Sequence, residues 1–376
     1  MNDSWWRSIL TAFVWTISFM CLVTCSSLRA QTPDEEMDQL LKKSKSGQKL
    51  TQQESKRRKE LMEILKARGP NKEQTSIGCT PLMDLGSGTY KGMEGGLYPG
   101  GKNAPPEDHL QAGLKLAKEI APLDANGKPD GQNGLIVMMS VGMSNTQNEF
   151  SEFMDVAKKD SQINPRLKLL NGAQGGMAAN FFTDLTKKQE NSGKNYWDTL
   201  ADKLINAKIG PKQVQVAWMK QAIAAPTLPF PGEPEALKGF LKTGLNMMKG
   251  KYPNLKIVYC SERIYGGYGN TPLTPEPHAY ETAFGVKWLI EDQIKGDPQL
   301  NHDPSKGEIK SPWLAWGPSL WADGIKPRSD GLVYKVEDLS QKDGTHPAAG
   351  AQQKVARLLM DFLKNDATAR SWFFKK

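Results

Sequence analysis

The sequence predicts a three-layer α/β/α protein, with a parallel sheet of about five strands between two layers of helices. Three observations predict it. Short apolar runs such as Leu135-Ile136-Val137-Met138-Met139 lack the in–out alternation of a half-exposed strand, so they read as strands buried on both faces. Stretches of helical length separate one run from the next, as βαβ units and a parallel sheet require. No internal repeat is visible, which sets aside solenoids and propellers.

Taken in order, the chain opens on an export signal. Arg7 precedes an apolar run from Ile9 to Cys25, and Ser26-Ser27-Leu28-Arg29-Ala30 supplies small residues for cleavage before Gln31. The run falls short of the ~20 residues of a spanning helix, which disfavours an uncleaved anchor. Thr24 argues against a lipoprotein box at Cys25. The expectation is an exported protein, periplasmic or extracellular, with residues 1–30 as its signal. Residues 31–76 are polar and charged, with Met37, Leu40-Leu41, Leu61-Met62 and Ile64-Leu65 at loose helical spacing, and read as a charged helical arm or tether.

Residues 77–376 form the expected main domain. Its first part, 86–106, is rich in Gly, Pro and Tyr and cannot be a regular element. Tyr90 and Tyr98 there either stack on a sugar or pin the loop to the core. Strands are then expected at Leu135–Ser140, Leu167–Gly172, Val214–Met219, Leu255–Cys260 and Trp313–Gly317. Helices are expected at Gln147–Lys158, Tyr196–Ala207, Glu235–Lys249 and Tyr280–Ile294. A last one at Ala348–Leu363 carries Val355, Leu358-Leu359 and Phe362-Leu363 on one face.

The 376 residues carry 49 Lys and Arg against 41 Asp and Glu, a formal excess of 8 positive charges. The basic residues form no stripe with interleaved aromatics, which speaks against a nucleic-acid partner. An acidic polysaccharide or a peripheral association with an anionic envelope surface suits the charge. Cleavage after Ala30 would leave Cys79 and Cys260, which either form one disulfide or stay as separate buried thiols. There is no His-x-x-x-His, no Cys-x-x-Cys and no dense Asp/Asn loop, so no metal or other cofactor is expected.

Chemistry concentrates in two short segments about 200 residues apart. Gly142-Met143-Ser144-Asn145-Thr146 follows the first strand, and Asp343-Gly344-Thr345-His346-Pro347 precedes the last helix. A serine hydroxyl is a poor nucleophile at neutral pH and needs a base within hydrogen-bond reach, itself oriented by an acid. Asp343 would accept from His346 Nδ1, leaving Nε2 for the Ser144 proton. The competing structural readings are Ser144 as a helix N-cap, and Asp343 with Thr345 as caps of the final helix. His109, His278 and His302 lack partner spacing and read as surface or loop residues.

This pair of segments resembles the SGNH/GDSL-type hydrolases, closest to their carbohydrate acetylesterase (sialate O-acetylesterase-like) branch. The resemblance runs from about Leu135 to the C-terminus and implies a flavodoxin-like sheet. It implies an oxyanion site made by the Ser144 N–H and by Gly175 in Gly175-Gly176. In the resembled esterases a third donor, an Asn or Gln amide, follows the third strand. Here Trp218-Met219-Lys220-Gln221 places Lys220 at that position, where it would hold the oxyanion or a carboxylate or sulfate of the substrate. Asn145, Gln147, Gly176, Arg263, Tyr265, Tyr98 and Trp316 are candidate substrate contacts. The expected function is an exported serine esterase acting on acyl esters, chiefly acetyl, of carbohydrate. The alternatives are a glycan- or envelope-binding protein without turnover, and a structural envelope protein acting through its charged arm.

Overall fold

A computed structural model describes residues 31–46, 48–189 and 192–375. The expected export signal lies outside them. Among the described residues no helix is long and apolar enough to cross a membrane. They divide into two compact units, one ending at Leu61 and the other running from Met62 to the C-terminus.

In the first unit, α1 (Pro33–Lys45) begins at a capping box in which the Thr32 hydroxyl accepts from the Glu35 N–H and the Glu35 carboxylate accepts from the Thr32 N–H. Helix α2 (Gln52–Ala67) starts here, and Lys43–Glu54 and Arg57–Glu36 ion pairs tie it to α1. The segment that follows α2 belongs to the second unit: the Asn71 N–H donates to the Tyr268 carbonyl, and the Ile77 N–H to Asp323. The charged arm is therefore helical, but its C-terminal end packs on the main domain earlier than the composition suggests.

The second unit is built on five parallel strands: β1 (Ile136–Gly142), β2 (Leu167–Leu170), β3 (Val214–Lys220), β4 (Ile257–Ser261) and β5 (Trp313–Trp316). Their spatial order is β2-β1-β3-β4-β5, the flavodoxin-like order. All seven residues of β1 and all seven of β3 are buried, which is why their sequences are mainly apolar, broken only by Ser140, Gln215 and Lys220. Helix α3 (Glu107–Lys118) precedes the sheet. Then come α4 (Ser144–Ala157), α5 (Tyr196–Asn206), α6 (Gly232–Lys251), α7 (His278–Ile294) and α8 (Ala349–Asn365). Helices α4 and α8 pack against each other, and so do α6 and α7. Right-handed crossovers with this strand order put the first pair on one face of the sheet and α5, α6 and α7 on the other.

The order matters because the chain leaves β1 toward β2 and later returns to β3 on the opposite side of β1. A crevice opens at that reversal, beyond the C-terminal ends of β1 and β3. Gly142 ends β1 in register with Lys220 at the end of β3. A side chain at Gly142 would run into Thr146 Oγ1 and the Lys220 carbonyl oxygen, so glycine lets α4 start directly against β3.

The Gly/Tyr-rich segment turns out to be a wrap pinned to the core. Tyr98 is 4% exposed and its hydroxyl accepts from the Trp316 N–H, while the Tyr90 hydroxyl donates to Glu281 among the rings of Phe230, Tyr280 and Phe284. Tyr98 is thus not a substrate contact. Trp316 is buried too, its indole N–H donating to the Leu97 carbonyl. His109 corrects the expectation of a surface histidine: it lies buried on α3, stacked on Trp313, with Nε2 hydrogen-bonded to the Leu314 carbonyl. The disulfide alternative is not realised. Cys79 and Cys260 are both free, Cys260 fully buried in β4 and Cys79 partly exposed, and burial pushes both thiols up, Cys79 to about 11.

Candidate active site

Ser144 is the first residue of α4. The N-cap position belongs to Met143, and no side chain caps this helix. The Ser144 hydroxyl instead meets His346 Nε2 at 2.9 Å. His346 Nδ1 lies 2.7 Å from Asp343 Oδ2. The second carboxylate oxygen, Oδ1, accepts from the Thr345 and His346 backbone N–H groups at 2.9 and 3.1 Å. Asp343 therefore caps its own loop rather than the last helix, whose N-cap is Ala348. Burial alone would raise the Asp343 carboxyl. The hydrogen bonds from His346 and from the two backbone groups outweigh it and hold the carboxyl well below the ordinary range.

The loop carrying His346 needs anchoring because it comes from the far end of the chain. Gly344 makes its turn at φ +61°, where a side chain would strike the Tyr268 carbonyl. The Thr345 carbonyl receives the Asn145 amide at 3.0 Å and the Arg263 guanidinium at 3.3 Å. Asn145 and Arg263, expected as substrate contacts, are only 1% and 2% exposed, so they are buried props of the histidine loop instead. Burial brings the Arg263 guanidinium down to about 10, against the attraction of Glu149, Glu276 and Asp343. Tyr265 is likewise no substrate contact: it is fully buried against Tyr268 and its hydroxyl donates to the Gln74 carbonyl.

Lys220 also departs from expectation. Its side chain is fully buried, and Nζ lies 2.5 Å from both carboxylate oxygens of Glu149, on the inward face of α4. A cation spent on a buried carboxylate is not available to an oxyanion or to a substrate anion. Burial pushes the Glu149 carboxyl up and the Lys220 ammonium down. Their mutual attraction opposes both shifts, aided at Glu149 by Arg263. The amide that follows, Gln221, donates to the Met177 carbonyl.

The Gly175 loop is tied to the end of β1, with the Gln174 N–H donating to the Gly142 carbonyl. A Cβ placed on Gly175 would stand 4.0 Å from Ser144 Cβ and 3.9 Å from Gln147 Oε1. The Gly175 N–H itself donates to Gln147 Oε1 at 3.1 Å. The Ser144 N–H is among the first four of α4, which have no acceptor within the helix, and the helix dipole favours negative charge beside them. Gly175, Gly176 and Gln147 all line an open cleft of about 550 Å³. Among the described residues no group of three His, Cys, Asp or Glu side chains could hold a metal.

Sequence reasoning missed Glu149, Thr345 as an anchored carbonyl, and the lysines of the cleft. Glu149 had a signal: it sits beside Phe150 at an inward position of an amphipathic helix, where an acid implies a buried cation. Nothing in the sequence marks the Thr345 carbonyl, because a backbone acceptor has no residue type.

No protein-family model matches the chain, and neither does any curated protein sequence. Solved structures do resemble it. A carbohydrate esterase family 3 structure from Talaromyces cellulolyticus shares 13% identity, covering 60% of this chain and 94% of that one, with a TM-score of 0.30. The periplasmic domain of a lipopolysaccharide acetyltransferase from Salmonella ser. Paratyphi A shares 12%, covering 69% and 95%, with a TM-score of 0.32. An extracellular lipase from Streptomyces rimosus shares 10%, covering 60% and 99%, with a TM-score of 0.29. The roles of Ser144, His346 and Asp343 rest on the distances in this chain.

Two outcomes follow from the buried charges and from Asp343. Glu149→Gln strands the Lys220 ammonium and should destabilise the fold by about 3–5 kcal/mol in denaturant titrations, whereas Glu149→Leu with Lys220→Met should recover most of that loss. Asp343 has a depressed folded-state pKa, so its contribution to stability is present above about pH 4 and fades as the pH falls further. Asp343→Asn should therefore be less stable than wild type at pH 7, with the gap beginning to narrow only below about pH 4.

Proposed function

We propose that this protein is a serine esterase of SGNH type that removes acyl groups, chiefly acetyl, from carbohydrate, and that it acts outside the cytoplasm. The observation that carries the reading is the hydrogen-bond chain from Ser144 Oγ through His346 to Asp343, with spacings of 2.9 and 2.7 Å. Those spacings let a base take the serine proton in place. The partly exposed His346 ring and the adjoining open cleft give an ester access to it.

In this mechanism Ser144 Oγ attacks the ester carbonyl carbon as His346 Nε2 takes its proton. The imidazolium that forms is held by the Asp343 carboxylate, which stays ionised. Negative charge moves to the carbonyl oxygen, where the Ser144 and Gly175 N–H groups receive it. Gln147 Oε1 occupies the Gly175 N–H in the resting protein, so the substrate oxygen takes the place of the Gln147 amide. Collapse of the tetrahedral species expels the sugar alkoxide, which takes the proton from His346. A water molecule, deprotonated by His346, then attacks the acyl-serine ester, and its collapse regenerates Ser144 and releases the acid. No cofactor enters the cycle.

One observation favours the rival reading of a glycan-binding protein without turnover: the Gly175 donor is already satisfied, and Lys220 supplies no third one. Hydrolysis of an aryl acetate decides between the two. Wild type should turn it over, and Ser144→Ala or His346→Ala should lower kcat/KM by about 10⁴-fold or more. Wild type as inert as those variants would leave the binding reading standing. Gly175→Ala makes a separate test, since the added methyl meets only ordinary contacts in the resting protein. Its thermal stability should match wild type while kcat/KM falls at least about tenfold, because the methyl projects beside Ser144 where the oxyanion must sit.

A further inference from the structure

The cleft beside Ser144 has a charge that the catalytic chemistry does not use. Ester hydrolysis at Ser144 needs two N–H donors and a histidine, and no lysine takes part. Yet Lys187, Lys188 and Lys203 line this cleft along with Gly175 and Gly176. No Asp or Glu among the described residues does so. Three lysines around one concavity, with no acid among the described residues lining it, raise the local concentration of anions.

Lys203 is the most constrained of the three. Its Nζ donates to the Asn171 and Ala173 carbonyls at 3.0 and 2.7 Å, on the segment that leads to Gly175. An ammonium has three donors, so one N–H remains beyond these two carbonyls. Burial without a carboxylate partner brings this ammonium down to about 8, a penalty that an anion in the cleft would relieve. Lys187 is half-buried with its Nζ 4.7 Å from the Phe181 ring centroid, and Lys188 is exposed. None of the three lies within ion-pair distance of a carboxylate among the described residues. Lys194, on the same stretch of chain, does pair with Asp202, at 2.5 Å.

The cleft is continuous with the reaction centre. Gly175 bridges the two, since its N–H faces Gln147 and a Cβ there would touch Ser144. Its volume of about 550 Å³ falls within the range of small-ligand sites and is more than an acetyl group fills.

We propose that Lys187, Lys188 and Lys203 bind an anionic group, carboxylate or sulfate, on the carbohydrate that carries the ester, so that the substrate is an acylated acidic glycan. The proposal rests on the esterase reading for the word substrate, but the binding it asserts does not depend on turnover. The cation that the sequence located at Lys220 is thus replaced by three others, placed on α5 and on the segment before it. Ring hydroxyls of a neutral sugar would gain far less from this lining.

Binding of unesterified oligosaccharides to the full-length protein tests the proposal without any hydrolysis. Isothermal titration would compare an oligogalacturonate, a sulfated galactan oligosaccharide and a neutral xylo-oligosaccharide of matched length. At least one acidic chain should bind about tenfold or more tightly than the neutral one, and the preference should shrink as salt rises from about 0.05 to 0.5 M. The two acidic arms report whether carboxylate or sulfate is favoured. Lys187→Gln with Lys188→Gln changes accessible side chains and should erase the preference while the melting temperature stays at the wild-type value. Equal binding of acidic and neutral chains, no binding of any, or a preference that survives the double variant would each overturn the proposal. An inert wild type toward aryl acetate would remove the esterase reading and leave this result standing. A lost acid preference would do the reverse.

Discussion

The candidate site depends on the docking of one carbonyl. His346 arrives about 200 residues after Ser144 on a loop without regular structure, and the Thr345 carbonyl is where that loop is fixed. Two side chains from different strand ends hold it: Asn145 from the start of α4 beyond β1, and Arg263 from just beyond β4. Both are buried, so neither competes with water for the bond. One of them sits next to Ser144 in the chain. The same short stretch thus presents the hydroxyl and holds the loop that brings its base, which couples the two ends of the Ser144–His346 hydrogen bond.

Beneath this runs a layer of buried charge that an apolar core would have avoided. Lys220, Glu149 and Arg263 lie under the start of α4, and taking each of them from water carries a desolvation cost of several kcal/mol. Pairing offsets part of it. What the arrangement supplies is direction. Glu149 pulls the first turns of α4 toward the end of β3, where the Thr146 hydroxyl also donates to the Lys220 carbonyl. Gly142 permits that approach. The helix whose first residue is Ser144 is therefore held by an ion pair, a hydrogen bond and a close contact, all within two turns.

Much of the fold was legible because fully buried parallel strands leave continuous apolar runs. The five strands fall within two residues of where Leu135–Ser140, Val214–Met219 and the other runs place them, and the α8 face follows its periodicity. The Ser144 and Asp343-x-x-His346 segments were legible as residue types at fixed spacing, and the structure brings them together. Most of the expected substrate contacts were not, although Gln147 and Gly176 do line the cleft. Asn145, Arg263, Tyr98 and Tyr265 have the right chemistry for sugar recognition, yet burial assigns them to loop anchoring and the core. At the first turn of a helix, at strand ends and in loops, burial of a single polar side chain leaves no periodic trace. Lys220 shows the same limit in reverse: register places it correctly at the end of β3, and only the position of Glu149 shows that its charge is already engaged.

The central claim is that His346 and Asp343 activate the Ser144 hydroxyl. Its most direct test is the intact mass of the protein after exposure to a fluorophosphonate, which modifies activated serines whatever the natural substrate. The account predicts a single adduct in wild type, absent in Ser144→Ala and strongly slowed in His346→Ala. An unmodified wild type, or an adduct that persists in Ser144→Ala, would contradict it.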